Sequence, residues 1–408
     1  MAYADGKRPA ELAARVRDLQ LPVAFVDLAA FDANLARLLA PARAHGKSVR
    51  LASKSLRCPA LIERAIALSD GQIHGLMTFT ARETLLWAER GARDLLLGYP
   101  LAGPHDAALL VAANRTATAA AMIDCPEHIA WLAAAARGAE RPIPVWLDLD
   151  LGWRPLAGVH VGVRRSPLRR AEDVVALARQ VAAEPGLKLA GLMGYEAHLA
   201  GLPDDGQLAR WQNPVKRWLK RRSWPDVLAR RAAALGALQA AHLLADGIRL
   251  ACNGGGSGSV DRTVTDASVT EITMGSGLLA GHLFDGYRGL ELQPALHFAL
   301  AITRRSSPEI ATCAGGGWIA SGSAGTDRLP LPVHPCGARL LAVEGAGEVQ
   351  TPVRLGVGTG AGVGDPVLFR PAKSGELAEC FAAYTLLDGG GRTEQVATYR
   401  GLGWSAWG

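Results

Sequence analysis

The stretch Val49-Arg50-Leu51-Ala52-Ser53-Lys54-Ser55-Leu56-Arg57 alternates apolar and polar residues and then ends on a lysine held between two serines. Alternation at period two is the signature of a strand. From about residue 22 to residue 277, similar short runs take turns with amphipathic helical stretches. The candidate strands are Val23–Asp27, Val49–Ser53, Gln72–Met77, Asp94–Gly98, Ala119–Asp124, Val145–Asp150, Leu187–Gly194, Ile248–Cys252 and Glu271–Met274. Helix-like segments such as Phe31–Ala44, Pro59–Ala67, Ala81–Gly91 and Ala171–Ala183 separate them. Strands alternating with helices of this length read as βα units of a parallel sheet. Nine strands are one more than a (β/α)8 TIM-type barrel needs. We take Val23–Asp27 as the surplus strand, able to serve a second domain. Val49–Ser53 then becomes the first barrel strand, and Lys54 stands just past its carboxyl end, on the face where such barrels carry their sites.

After about residue 285 helical periodicity stops, and Gly and Pro punctuate short β-like runs such as Ala295–Arg304, Arg339–Val343, Pro366–Arg370 and Glu379–Leu387. This predicts a mainly-β C-terminal domain. The expected division is a barrel over residues 22–285 and a second domain built from 1–21 with 286–408. The polar, Trp-containing stretch Pro203–Ala241 reads as an elaborated helical crossover.

Composition excludes several classes. Hydrophobic residues make up 49% of the 408-residue chain and charged ones 20%, which suits a globular enzyme. The net charge of +6 comes from scattered arginines, such as Arg164-Arg165 and Arg169-Arg170, with no interleaved aromatics. We read these as solvated helix faces, not as a nucleic-acid surface. Six dispersed cysteines with no C-x-x-C pair, and no Cys/His pairing read at zinc spacing, argue against disulfides or structural zinc and for a reducing, cytoplasmic setting. No stretch is long and apolar enough to span a bilayer, and Met1–Arg17 has no apolar signal core.

A lysine after a strand is ordinarily a solvated charge. The glycine loops give Lys54 its interest. Asn253-Gly254-Gly255-Gly256-Ser257-Gly258-Ser259 follows barrel strand seven and Gly275-Ser276-Gly277 follows strand eight. Loops after strands seven and eight are the recurrent phosphate site of these barrels. Glycine lets backbone N–H groups approach phosphate oxygens closely. A phosphate grip facing a lysine amine suggests pyridoxal phosphate, held as a Schiff base.

Here the sequence resembles a family. Pro22-Val-Ala-Phe-Val-Asp27 with Asn34, then Lys54-Ser-Leu-Arg57, resembles the start of fold-type III pyridoxal-phosphate enzymes, whose barrel is of the alanine racemase N-terminal kind. Asp148-Leu-Asp150-Leu-Gly-Trp153-Arg154-Pro155, Gly191-Leu-Met-Gly-Tyr195-Glu196-Ala-His198, His282-Leu-Phe-Asp-Gly-Tyr287 and Gly347-Glu348-Val-Gln350-Thr351-Pro352 resemble the D-threonine aldolase/D-serine dehydratase group, amino acid deaminase/aldolase branch. The resemblance runs from Leu21 to Gly401. It implies Lys54 as the Schiff-base lysine, the 254–258 loop with Gly275 and Ser276 as phosphate grip, and Arg154, Tyr195 and His198 around the cofactor. It further implies a homodimer acting on a small amino acid. One departure stands out. Where that group carries a metal-binding His-x-Asp or His-x-Cys, this chain has Pro371-Ala372-Lys373-Ser374-Gly375-Glu376. Lysine is a poor metal ligand and glycine offers none, so the usual divalent site is expected to be absent unless Glu376 or Glu379 contributes. Lys373 could supply the missing positive charge.

Other residues carry two readings each. His198 can act as general base or bond to a loop carbonyl. Tyr195 can stack on the cofactor or cap the core. Asp148 and Asp150 share one side of a strand and can form an acid pair or partner Arg154. His74 in Ile73-His74-Gly75 can face the lumen and substrate or sit satisfied in the core. The expected reaction is cleavage of a D-3-hydroxy amino acid to glycine and an aldehyde. The alternatives are dehydration to a 2-oxo acid and ammonia, racemisation, and cofactor binding without turnover.

Overall fold

The computed structural model describes residues 7–206, 210–244, 250–356 and 358–406. Strand β1 is Val23–Asp27. The next eight strands are β2 Ser48–Ala52, β3 Ile73–Thr78, β4 Asp94–Pro100, β5 Thr118–Ile123, β6 Ile143–Asp148, β7 Leu187–Gly194, β8 Ala251–Gly254 and β9 Glu271–Met274. They pair in parallel and in chain order, and β9 returns to β2, closing a barrel. The closed barrel with its surrounding helices is the architecture the alternating pattern predicts. The expected strand Ile248–Cys252 starts outside the described residues, at Ile248 and Arg249.

The remaining strands are β10 Leu296–Ser307, β11 Ile310–Ala314, β12 Leu331–His334, β13 Arg339–Leu340, β14 Gln350–Arg354, β15 Pro366–Arg370, β16 Ala383–Leu387 and β17 Thr393–Ala397. With β1 they form a nine-stranded sheet ordered β13-β14-β11-β10-β1-β16-β17, in which β15 pairs with β10 and β12. Strand β1 lies between β10, antiparallel to it, and β16, parallel to it. The surplus strand thus belongs to the second sheet, although it lies inside the 22–285 stretch assigned to the barrel. All five of its residues are buried, as a central strand covered on both faces requires. The crossover stretch contains a helix over Asn213–Ala240.

The barrel lumen is layered. At its amino end Arg50 pairs with Glu271 at 2.9 Å and with Asp94 at 2.7 Å. Burial alone would raise the Glu271 carboxyl, but the charge of Arg50 and the hydrogen bonds of His74 and Arg50 hold it down at about 2. Above this lies an apolar layer of Leu96, Ala120, Met122, Trp146 and Met193. Gly191 is required there, since a Cβ would stand 2.3 Å from the Trp146 ring. The apolar plug separates this charged layer from the carboxyl end, where barrels of this kind carry their sites.

Candidate active site

At the carboxyl end of β2 the chain makes one 3-10 turn, Ser53–Ser55. This turn points Lys54 into a cavity of about 540 Å3 lined from both the barrel and the β-sheet unit. The Lys54 Nζ donates to the Tyr99 hydroxyl and lies 5.1 Å from that ring's centre. The loop after β15 presses on the same turn: a Cβ on Gly375 would lie 1.9 Å from the Lys54 carbonyl oxygen. Only glycine lets the two backbones meet there.

Across the cavity lie Asn253, Gly255, Gly256 and Ser257 after β8, and Gly275 and Ser276 after β9. The two loops are fastened together by the Ser257 hydroxyl, which accepts from the amides of Gly275 at 3.2 Å and Gly277 at 3.0 Å. Gly255, at φ +86, takes the left-handed conformation that favours glycine. Its amide donates to Glu196 at 3.2 Å. Glu196 is fully buried against Arg231, which also pairs with Asp266 at 2.9 Å. Burial alone would raise the Glu196 carboxyl, but the Arg231 charge together with the hydrogen bonds from Thr263 and the backbone amides of Glu196 and Gly255 holds it below its usual value. This ion-pair network frames the glycine loop, and it lies in residues the sequence reading did not single out.

The expected positions divide between the cavity wall and places away from it. Gly254 and Gly258 do not line the cavity: Gly254 packs on Arg231, and Gly258 on the Ala200 carbonyl and the Tyr287 ring. Asn253 does line it, donating to Glu271 at 2.5 Å and to Thr273 at 2.7 Å. Tyr195 lines it too, and burial pushes its phenol up to about 12. His198 follows in the short helix Ala197–Ala200 and turns beneath the 150–163 loop, where a Cβ on Gly162 would stand 3.3 Å from its Nδ1. Neither ring nitrogen has a hydrogen-bond partner among the described residues, and burial lowers the imidazole pKa. Arg154 is drawn off by Asp150 at 2.8 Å and lines no part of the cavity. The partnering of Asp150 with Arg154 is the alternative the spacing allowed. His74 sits at the opposite end of the barrel, 2.7 Å from Glu271.

Lys373 does reach the cavity, with its Nζ donating to the Ser321 carbonyl at 2.7 Å and lying 3.9 Å from Glu376. Burial lowers its pKa, and Glu376 partly offsets this. Glu379 is taken by Arg57 at 2.7 Å. Arg165, read from sequence as part of a solvated cluster, instead lines the cavity, its guanidinium 5.8 Å from the Tyr99 ring centre and 5.4 Å from that of Tyr195. The sequence reading also missed that Asp124, Cys125 and His128 gather ligand atoms within 4.8 Å of one another, at the end of β5. The Cys125-Pro-Glu-His128 spacing is the signal that was passed over.

The donor set suits an anionic aldehyde cofactor. One amine faces backbone glycines and the hydroxyls of Ser257 and Ser276, with five cations lining the wall: Lys54, Arg57, Arg165, Arg328 and Lys373. A second cavity of about 510 Å3 adjoins it near Lys216 and His282 but does not reach Lys54.

Comparison with known proteins agrees with this geometry. Residues 26–250 match the family described as alanine racemase, N-terminal domain. The D-threonine aldolase of Arthrobacter sp is 28% identical over 272 residues, which is 66% of this chain and 62% of that protein. The 3-hydroxy-D-aspartate aldolase of Paracoccus denitrificans is 26% identical over 205 residues, 49% of this chain and 50% of that protein. The matched stretches therefore span less than two thirds of these relatives. The crystal structure of D-threonine aldolase from Filomicrobium marinum superposes with a TM-score of 0.79 at 20% identity, covering 95% of this chain and 96% of that one. At that identity the likeness is one of fold.

Proposed function

Because the chain belongs to the alanine racemase N-terminal domain family, we propose that it is a pyridoxal-phosphate-dependent lyase cleaving D-3-hydroxy amino acids to glycine and an aldehyde. The observation that carries this reading is the single cavity on which the Lys54 amine and the two joined glycine loops converge. The names of the two curated relatives add the substrate class. Lys54 would hold the cofactor through its amine, with Ser257, Ser276 and the amides of their loops on the phosphate. When bound, that group serves as an electron sink for the bond broken at Cα.

The residues of the chain supply the rest. Tyr195 and Tyr99 wall the cavity. With His198 turned away, the free Lys54 Nζ takes the proton of the β-hydroxyl oxygen. Lys373 faces the cavity from the other wall and places a positive charge for the oxygen left behind. The Pro371–Glu376 stretch offers Lys373 and Glu376 there, and the expected outcome of chelation is unchanged turnover. Among the described residues no helix is long and apolar enough to cross a membrane. We assign the protein to the cytoplasm, in keeping with six free cysteines, and take it to be a homodimer on the family resemblance alone.

The test is to incubate enzyme and cofactor with D-threonine and D-phenylserine, with and without chelator, assaying glycine, aldehyde and 2-oxo acid separately. Glycine with aldehyde supports the proposal. A 2-oxo acid with ammonia would replace it by dehydration. Chelator-sensitive turnover would point to a bound metal and draw attention to Asp124, Cys125 and His128.

A further inference from the structure

Strand β5 ends at Ile123, and the helix Pro126–Ala135 begins just beyond it. Cys125 stands at the cap of that helix and His128 in its first turn. Side chains three apart on a helix share a face. The Cys125-Pro-Glu-His128 spacing therefore turns Sγ and Nδ1 toward each other, 3.3 Å apart. Asp124 brings its Oδ1 to 3.3 Å from the same Nδ1. Bonds of ~2.3 Å to sulfur and ~2.0 Å to nitrogen or oxygen, at tetrahedral angles, set ligand atoms ~3.3–3.6 Å apart. Both contacts have that spacing. The Asp124 amide also points at Nδ1, at 3.3 Å. A helix cap alone does not account for the carboxylate oxygen crowding the same nitrogen.

The surroundings are rich in acids and short of cations. Glu127 lies against the Cys125 thiol from the solvent side. Asp148 follows Leu147, whose register partner is Ile123, and so stands beside Asp124. It is only 6% exposed. Its carboxyl has neither a hydrogen bond nor an ion pair among the described residues, and the charges that reach it are those of Asp124, Arg165 and Asp150. Nor do Asp124 and Glu127 pair with a lysine or arginine among the described residues. A buried carboxyl without a partner, beside a second carboxylate and a thiol, marks a place for a positive charge.

We propose that Asp124 Oδ1, Cys125 Sγ and His128 Nδ1 bind a divalent cation of the zinc class, with the Asp148 carboxylate adding charge behind Asp124. Thiolate and imidazole together favour zinc over magnesium or calcium. Burial raises the Cys125 thiol, while the amides of His128 and Glu127 pull the other way. Coordination takes the thiolate and releases its proton to solvent. A zinc ion there ties the end of β5 to the first turn of the following helix. None of the three ligands lines the cavity around Lys54, so occupancy leaves the chelation result expected for turnover as it stands.

The experiment takes untagged, cofactor-loaded protein, strips it with EDTA and titrates it with zinc against a chromophoric chelator, with magnesium in a parallel series. Bound metal is counted by mass spectrometry, and thermal unfolding is followed with zinc and in EDTA. The Asp148 titration belongs to the EDTA state, in which only protein charges surround that carboxyl. The expected result is one zinc per chain and a raised unfolding temperature, with no response to magnesium. Cys125→Ser and His128→Gln should each weaken zinc by more than ~100-fold, and Asp148→Asn, which removes a supporting charge only, by ~10-fold. In EDTA the variants should melt close to the wild type. A wild type that takes up no zinc, or magnesium equally well, overturns the site. Variants that keep wild-type affinity also overturn it, since the ion then sits on other cysteines. X-ray absorption at the zinc edge of the wild type decides the matter even if a variant fails to fold. One sulfur among nitrogen and oxygen neighbours supports the site, and no sulfur or several overturn it.

Discussion

Asp148 closes strand β6 one step beyond the register pairs Met122–Trp146 and Ile123–Leu147, which sets it beside Asp124 on the lumen side. Burial, followed by the Asp124 charge, pushes the Asp148 carboxyl up to about 7, whereas an unfolded aspartate titrates near pH ~4. The folded chain therefore keeps a proton that the unfolded chain releases. This contribution to stability is full below about pH 4 and is lost as pH rises through 7. Asp148→Asn should remove that dependence. Between pH 5 and pH 8 the wild type should lose ~2–4 kcal/mol relative to the variant, read from urea midpoints at both pH values. Parallel pH profiles would contradict the burial argument. At the same scale, His198→Gln should leave kcat within about threefold, where loss of a true general base costs ~100-fold or more. The spacing Tyr195-Glu196-Ala197-His198 put the histidine within reach of the mouth. What spacing does not carry is the single helical turn after β7 that rotates it under the 150–163 loop.

At the scale of elements, the joint between the loops after β8 and β9 is one hydroxyl. Ser257→Ala would strand the Gly275 and Gly277 amides and is expected to cost ~1–3 kcal/mol. Cofactor affinity, followed by fluorescence titration, should fall with it. An unchanged affinity would show that the loops hold their shape without the bridge. The glycine loops and the register of β2 were legible in the sequence because period-two alternation and Gly-rich turns are local signals. Arg165 was not, since Arg164-Arg165 looks like any exposed pair until Ser166 is seen pinned to Asp148. Strands β11, β12, β14 and β17 escaped notice because short, half-exposed strands among glycines carry little alternation.

At the scale of the molecule, the C-terminal segment is locked to the barrel side by a buried relay: Trp87 Nε1 donates to the Tyr399 hydroxyl at 2.7 Å, which donates to Glu83 at 2.6 Å. Tyr399→Phe leaves the Trp87 Nε1 without its acceptor and removes one of the donors to Glu83, which keeps the Phe79 amide at 2.8 Å, and should lower stability by ~1–3 kcal/mol in urea unfolding. Gly375 ties the sheet unit to the turn that carries Lys54 more directly. Gly375→Ala is expected to displace the loop after β15 from the Lys54 carbonyl, weakening cofactor retention on dialysis while the fold persists. That a mainly-β unit accompanies the barrel was visible in the loss of helical periodicity in the last third of the chain. The membership of β1 was legible only as a surplus, because a strand's partners across nearly the whole chain length leave no local mark.

The most direct measurement of the central claim is borohydride reduction of the cofactor-loaded protein followed by peptide mass mapping. We expect visible absorption to bleach and a single phosphopyridoxyl mass to appear on the peptide containing Lys54. A label on Lys373, on several lysines, or on none would contradict the account.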